Sequence, residues 1–494
     1  MSTEAAAWTL INQGRAAEAL AITTPLVPAR ASSSALMAHA AALKALGRHA
    51  EALPFNRRAV EQSPNDRIAW YNLAATLGDL ASPQEAEEAG RRAISLGLDA
   101  PEVWLVLARA LQLQNRFEDA EAAFREAVAR RPNYADALRD LAQLIWMRTA
   151  DLSAALQPVD AAIASNPADP NLHHLRAVVQ QFAGEPKAAL ESLARGLALA
   201  PADIRLLIAA SHIAAELRDA DAALTFARRA SDAAPGARAV EEALCLANLA
   251  VGDAAAAGEG AARLRAADPF NQFAIAMQAT AWRLTDDPRA HELYDYAAFV
   301  RPYRIETPEG WPDLAAFLAD LKRSLDALHQ LDTHPLQQSL RHGTQVQSLH
   351  LSPDPAIQAF FRSVDRALTR YMADVGHGDD PLRARNTGAA RVHSAWSVRL
   401  RPNGFHVDHF HPEGWLSSAF YVETPDTALD TSDRQGWIKF GQPGVPTRPV
   451  LGPEHFVRPE PGLLVLFPSY MWHGTVPFIS EESRMTIAFD VVPA

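Results

Sequence analysis

Residues Asn403–Tyr421 read NGFHVDHFHPEGWLSSAFY. His406, Asp408, His409 and His411 fall within six residues, and the segment then runs into an apolar, strand-like stretch. Sixty-two residues past His411 stands a solitary His473, in LLVLFPSYMWHGTVPF, and eleven further on comes Arg484. Two ligand-type side chains on one strand, joined by a distant histidine, build a three-ligand face that leaves positions open on an iron ion. Four of the 17 histidines lie between His393 and His411, which argues against ordinary scattered surface histidines.

In an extended segment, residues two apart share a face. His409 and His411 therefore point one way, His406 and Asp408 the other, and only one pair is expected to bind the ion. With His473, His-x-Asp gives two imidazoles and a carboxylate, whereas His-x-His gives three nitrogens. From Arg391 onward the pattern predicts short strands at Ala395–Arg401, Leu416–Val422, Gly436–Phe440, Leu463–Phe467 and Met485–Val492. Strands of this length and spacing suggest a sandwich or barrel, and a double-stranded β-helix, or jelly roll, has a mouth wide enough for a metal and a small acid. Arg484 and Thr486 share a face of the last strand. An arginine pointing into a barrel needs a carboxylate, and its planar fork suits one held through two hydrogen bonds.

Working back from this block, the first 285 residues are self-similar. Prolines or their stand-ins recur at Pro64, Leu98, Pro132, Pro167, Pro201, Pro235 and Pro269, in steps of 34 or 35. A turn marker recurs at the same interval, at Gly47, Ala81, Asn115, Thr149, Gly184, Arg218 and Gly252. The clearest copy is Pro101–Pro132, PEVWLVLARALQLQNRFEDAEAAFREAVARRP. Each unit predicts two helices whose alanines allow close approach, with Trp70, Trp104, Leu107 and Phe124 filling the groove between them. A single unit cannot bury its apolar face alone, so units stack into an all-α solenoid with a concave surface. Asn72, Arg109, His173, His174 and His212 are candidates to line a peptide groove there. The rhythm stops near Leu284, which divides the chain at 1–285 and 286–494. After a linker at Thr285–Pro288, helices are expected over residues 311–330 and 354–372, covering one sheet.

Composition narrows the function further. A formal net charge of −12 argues against nucleic acid or an anionic membrane as partner. The one cysteine, Cys245, excludes a disulfide framework and a thiolate metal site. MSTEAAAWTL lacks the basic and apolar regions of a signal peptide, and no apolar run approaches the ~18–20 residues of a membrane span, so a cytoplasmic protein is expected. Nothing in the sequence sets an oligomeric state.

The 34-residue units resemble tetratricopeptide repeats. The blocks QSLRHGTQ (338–345), HFHPEGWLSSAFYVETP, PGLLVLFPSYMWHGTVPF and ESRMTIAF resemble the iron(II)/2-oxoglutarate-dependent oxygenases that carry an H-x-H-P block, over roughly residues 290–494. That resemblance implies a jelly-roll fold, Fe(II), 2-oxoglutarate and O2, with release of succinate and CO2. It favours His409, His411 and His473 as metal ligands over His406 and Asp408, although the complete His-x-Asp is a departure from the family pattern. It also implies Arg484 as the residue that holds the far carboxylate of 2-oxoglutarate. Within that reading Thr486, Tyr421 and Ser418 are candidates to line the 2-oxoglutarate pocket. Gln345, Arg399 and Trp396 are candidates for the substrate mouth, and Trp415 and Trp472 for excluding water. The repeats would then recruit a protein or peptide to be hydroxylated. Oxidation of a small metabolite, with the repeats serving assembly, and an inert oxygenase domain on a repeat adaptor are the competing expectations.

Overall fold

The 34-residue rhythm becomes helix pairs whose turns need a left-handed residue. In the computed structural model, which describes residues 2–27, 31–429 and 432–494, Gly47, Ala81, Asn115, Gly184, Arg218 and Gly252 all have positive φ. The fourth marker falls on Ala150 and not on Thr149, because the helix Ala135–Thr149 runs to 15 residues and the turn follows it. A single left-handed residue reverses the chain without further loop, and glycine does so with least strain. Helix starts repeat as well. Asp66, Asp169, Asp203 and Asn271 each accept backbone N–H bonds from the first turn of the helix that follows. The helices meet through alanine: Ala69, Ala74, Ala86, Ala120 and Ala127 are fully buried, with Phe124 among them. Of the groove candidates, Arg109 is paired with Asp140 (2.7 Å) and His173 is buried. Burial pushes the Cys245 thiol up to about 12, which makes it an inert core residue.

The chain forms two compact units, Met1–Ile145 with Ala155–Pro167, and Trp146–Ala154 with Ala168–Ala494. The first is built of helical repeats. The second contains both further repeat helices, from Pro170–Phe182 to Gln272–Leu284, and an antiparallel β domain. After the last repeat helix come two short helices, Arg289–Leu293 and Tyr296–Phe299, and the first strand begins at Arg301, while compactness divides the chain at other points. The reason is that the later repeat helices share one core with the sheet. Cys245, Ile275 and Met277 lie in the same buried cluster as Phe420, Leu466 and Ile487.

The β domain has nine strands among the described residues: β1 (Arg301–Arg304), β2 (Leu340–Gln347), β3 (Ala390–His406), β4 (Leu416–Glu423), β5 (Ile438–Phe440), β6 (His455–Val457), β7 (Leu463–Pro468), β8 (His473–Thr475) and β9 (Arg484–Pro493). They form a six-stranded antiparallel sheet in the order β1-β7-β4-β9-β3-β2 and a three-stranded sheet in the order β6-β5-β8. Helices Leu314–Leu328 and Pro355–Val375 turn apolar faces inward, Phe317, Leu321 and Phe360 being fully buried.

Two buried histidines in this domain set a pH dependence. His329 is bonded through its two ring nitrogens to Thr344 (2.7 Å) and Ser397 (3.0 Å), and burial holds its pKa down at about 3. Burial holds His334 at about 4. In the unfolded chain both titrate near 6.5. Below that pH the unfolded state takes up protons that the folded state refuses, so stability is lost as pH falls from about 6.5 towards 4. Each group contributes a slope of about 1.4 kcal/mol per pH unit. Urea denaturation at pH 7 and pH 5 should show this loss, and H329Q should make it smaller.

Candidate metal centre and its cavity

Strand β9 builds one wall of the site by simple alternation. Met485, Ile487, Phe489 and Val491 enter the hydrophobic core, while Arg484, Thr486, Ala488 and Asp490 line a cavity of about 520 Å³. The cavity is of a size that takes a small molecule. His409, His411 and His473 line it as well. His409 and His473 exchange backbone hydrogen bonds of 2.8 Å in each direction, and the His411 N–H donates to the Ser469 carbonyl (2.9 Å). The two separate stretches of sequence are thereby laced side by side.

One ligand nitrogen from each of these three rings lies within 4.8 Å of the other two. In every ring Nδ1 already has a partner. The Val407 carbonyl takes it from His409 (2.8 Å), the Met471 carbonyl from His473 (2.9 Å), and Asp490 Oδ1 from His411 (2.6 Å). Carbonyl and carboxylate oxygens only accept, so Nδ1 carries the proton and Nε2 keeps its lone pair for an ion. Burial, with the neighbouring imidazoles adding to it, holds His409 at about 3 and His473 well below the usual histidine range. Both rings are neutral at pH 7, as metal ligands must be.

Asp408 stands outside this group. Its carboxylate pairs with Lys439 (2.8 Å), which also donates to Gln442, and Gly444 and Gly474 close over it. A Cβ on Gly444 would lie 1.8 Å from the Asp408 carbonyl oxygen, so that approach requires glycine. The strict two-residue parity expected of the segment fails at its start. His406 ends β3 and lines the same cavity, bonded to Ser339 (3.0 Å), with its ring centre 6.0 Å from that of His409. The chain leaves extended geometry between His406 and His409, which returns His406 to the ligand side.

Arg484 is 2% exposed and faces the cavity. One guanidinium nitrogen donates to the Gly436 carbonyl (2.8 Å), Nε has no partner, and the group stacks over the Tyr421 ring at 5.0 Å. Among the described residues no carboxylate pairs with it, and burial lowers its pKa. Tyr421 is fully buried beneath it, with an unpartnered hydroxyl. Ser418 lines the cavity, but its hydroxyl is engaged with both the carbonyl (2.9 Å) and the N–H (2.8 Å) of Phe489. Gln345 and Trp396 line the cavity, Trp396 lying 5.4 Å from the His411 ring. Arg399 is turned away and donates to the His329 carbonyl (2.9 Å). Trp415 donates to the Leu382 carbonyl in the core. Trp472 donates to Thr280 (3.0 Å) on the last repeat helix, and its own N–H donates to Tyr294 (3.1 Å). These bonds seat the turn that leads into His473 at the start of β8.

The residue that motif reading missed is Asp490. It accepts from His411 and from Ser417 (2.8 Å), whose hydroxyl also meets Ser469 (2.9 Å). The signal was its place six residues after Arg484, on the same face of β9. A carboxylate behind a ligating histidine fixes the ring and raises its basicity. Asp490→Ala should weaken metal binding about 10–100-fold, read by chelator competition, while leaving the fold intact by circular dichroism.

Residues 394–490 match the family described as "Putative 2OG-Fe(II) oxygenase", and residues 101–144 match the family described as "Tetratricopeptide repeat". No curated protein matches the chain. Among solved structures it is similar to a tetratricopeptide repeat protein from Parabacteroides merdae ATCC 43184, at 14% identity over 50% of this chain and 97% of that one, with a TM-score of 0.36. It is also similar to the C-terminal part of a TPR repeat-containing protein from Cytophaga hutchinsonii, at 18% identity over 49% of this chain and 98% of that one, with a TM-score of 0.35. One chain thus carries a β-domain stretch that matches an oxygenase family model and a helical stretch that matches a tetratricopeptide repeat model.

Proposed function

We propose that this protein is an Fe(II)- and 2-oxoglutarate-dependent dioxygenase of jelly-roll type that hydroxylates a protein or peptide recruited by its repeats. The observation that carries the reading is Arg484, a buried guanidinium with no carboxylate partner among the described residues, lining the same cavity as His409, His411 and His473. A buried cation left unpaired is costly, and the cavity accommodates the anion that would balance it. His409, His411 and His473 would hold Fe(II), and Arg484 the C5 carboxylate of 2-oxoglutarate, with Thr486 beside it. When bound, the iron and 2-oxoglutarate supply oxidising power drawn from O2, with succinate and CO2 released.

The chain's own residues do the rest. Nδ1 partners orient the three rings, Tyr421 supports the guanidinium from below, and Trp396 and Phe410 limit water at the ligands. Phe182, at the end of a repeat helix, lines the cavity too. A repeat side chain at the reaction chamber favours a substrate delivered by the repeats over a free metabolite. The test is succinate formation from 2-oxoglutarate by the full-length protein with and without Fe(II), followed by mass spectrometry of captured proteins. Iron-dependent succinate and a gain of 16 Da on a captured protein are expected. Absence of iron-dependent succinate rejects the enzyme reading, and succinate without any modified protein rejects the macromolecular substrate.

A further inference from the structure

The cavity contains a second guanidinium that the proposed chemistry does not use. Arg341 lies on β2 at a bulge, where the pairing with β3 jumps from Arg341↔Phe405 to Gly343↔Leu400. His342 within the bulge and Asn403 opposite it both have positive φ. The jump is possible because of glycine. A Cβ on Gly343 would lie 2.6 Å from the Arg399 carbonyl oxygen, and one on Gly404 would lie 2.7 Å from that of Arg401. Bulges of this kind occur beside active sites, where they re-aim a side chain.

The re-aimed side chain is held in place. One Arg341 nitrogen donates to the carbonyls of Gln338 (2.8 Å) and Leu340 (2.9 Å), and among the described residues no other acceptor takes its remaining donors. Among the described residues no carboxylate forms an ion pair with it, and burial lowers its pKa, with Glu216 as the one acidic influence. Gln345 and Gln338, bonded to each other (3.2 Å), line the cavity next to it along the chain. A backbone-anchored guanidinium with free donors, facing a cavity, is arranged to receive a planar anion. Arg484 serves the co-substrate in the reading above, so the anion at Arg341 belongs to a different molecule.

We propose that Arg341 is a specificity-determining residue that holds a carboxylate carried by the substrate, with Phe182 of the repeat helix forming the apolar side of the same chamber. This rests on the dioxygenase reading for the assignment of Arg484, but the presence of a second anion site does not. The carboxylate comes either from an acidic side chain of a peptide or from a free acid, and the two sources separate experimentally.

The test is calorimetry on the full-length protein, with 2-oxoglutarate at saturation and benzoate as probe, because it pairs a carboxylate with an apolar ring. Benzoate should bind and the neutral isostere benzamide should bind at least tenfold more weakly. R341Q should lose at least tenfold in benzoate affinity and keep 2-oxoglutarate affinity within twofold, and R484Q should show the reverse. R341K should retain part of the benzoate affinity. Equal binding of benzoate and benzamide to the unaltered protein overturns the proposal without recourse to any variant, as does R341Q binding benzoate unchanged. Acetyl-Phe-Asp-Phe-amide run in parallel assigns the source. Tighter binding than benzoate supports a peptide-borne acid, weaker binding supports a free acid, and binding of neither overturns the proposal. Failure of 2-oxoglutarate to bind, with benzoate still dependent on Arg341, would reject the dioxygenase reading alone.

Discussion

Full-length protein carrying His473→Ala, reconstituted anaerobically with Fe(II) and desalted, is expected to retain almost no iron, whereas Asp408→Ala retains about as much as the unaltered protein. The expectation follows from where the two side chains are. His473 is buried, its Nδ1 is spent on the Met471 carbonyl, and one of its ring nitrogens lies within 4.8 Å of one from each of His409 and His411. Asp408 is occupied by Lys439. Loss of a partner behind a ligand costs about 10–100-fold in affinity, and loss of the ligand itself should exceed that. Because the backbone bridge between residues 473 and 409 survives the substitution, the variant should fold, and circular dichroism checks it. Stoichiometric iron in the His473 variant, or its loss in the Asp408 variant, would reassign the ligands.

Arg484→Met should make the protein more stable in the absence of 2-oxoglutarate and nearly blind to it. The guanidinium is buried with no acid paired to it among the described residues, and replacing such charge by an apolar side chain of similar length gains about 1–4 kcal/mol where buried ion pairs have been exchanged. The orphaned Gly436 carbonyl returns about 1 kcal/mol of that. Binding tells the opposite story. A buried, charge-assisted contact removed from one side costs about 2–5 kcal/mol, so 2-oxoglutarate affinity should fall by roughly 30-fold or more. Saturating ligand at a hundred times its dissociation constant stabilises a protein by about 2.7 kcal/mol. The order of melting temperatures should therefore reverse when 2-oxoglutarate is added, with the variant higher before and the unaltered protein higher after. Iron content should be the same in both. An unchanged affinity for 2-oxoglutarate would move the carboxylate site elsewhere.

Much of this was legible in the sequence because it depends on local periodicity. The 34-residue step shows in proline, small residues and turn positions, since each turn needs a left-handed residue and few side chains tolerate one. The single slip, Thr149 for Ala150, came from one extra residue in the preceding helix. The core strands β3, β4, β5, β7 and β9 were visible as apolar or alternating runs. The strands that went unseen are those without such a run: Arg301–Arg304, His455–Val457, His473–Thr475 and the bulged, polar Leu340–Gln347. At the site, spacing found the histidines but not their supports. Asp490 acts on His411 from 79 positions away, and Lys439 on Asp408 from 31. Parity misplaced His406 because a strand had ended. Composition also could not show that repeat helices share a core with the sheet, a tertiary fact that rests on contacts such as Trp472 with Thr280.

On this reading the imidazoles of His409, His411 and His473 and the buried Arg484 guanidinium together hold iron and 2-oxoglutarate in one cavity. An anaerobic absorbance titration of the full-length protein with Fe(II) and 2-oxoglutarate tests it most directly. A visible metal-to-ligand charge-transfer band that needs both additions, saturates at one equivalent of each, and vanishes in the His473→Ala protein is the result expected. Iron binding with no band at any concentration of 2-oxoglutarate would contradict the account.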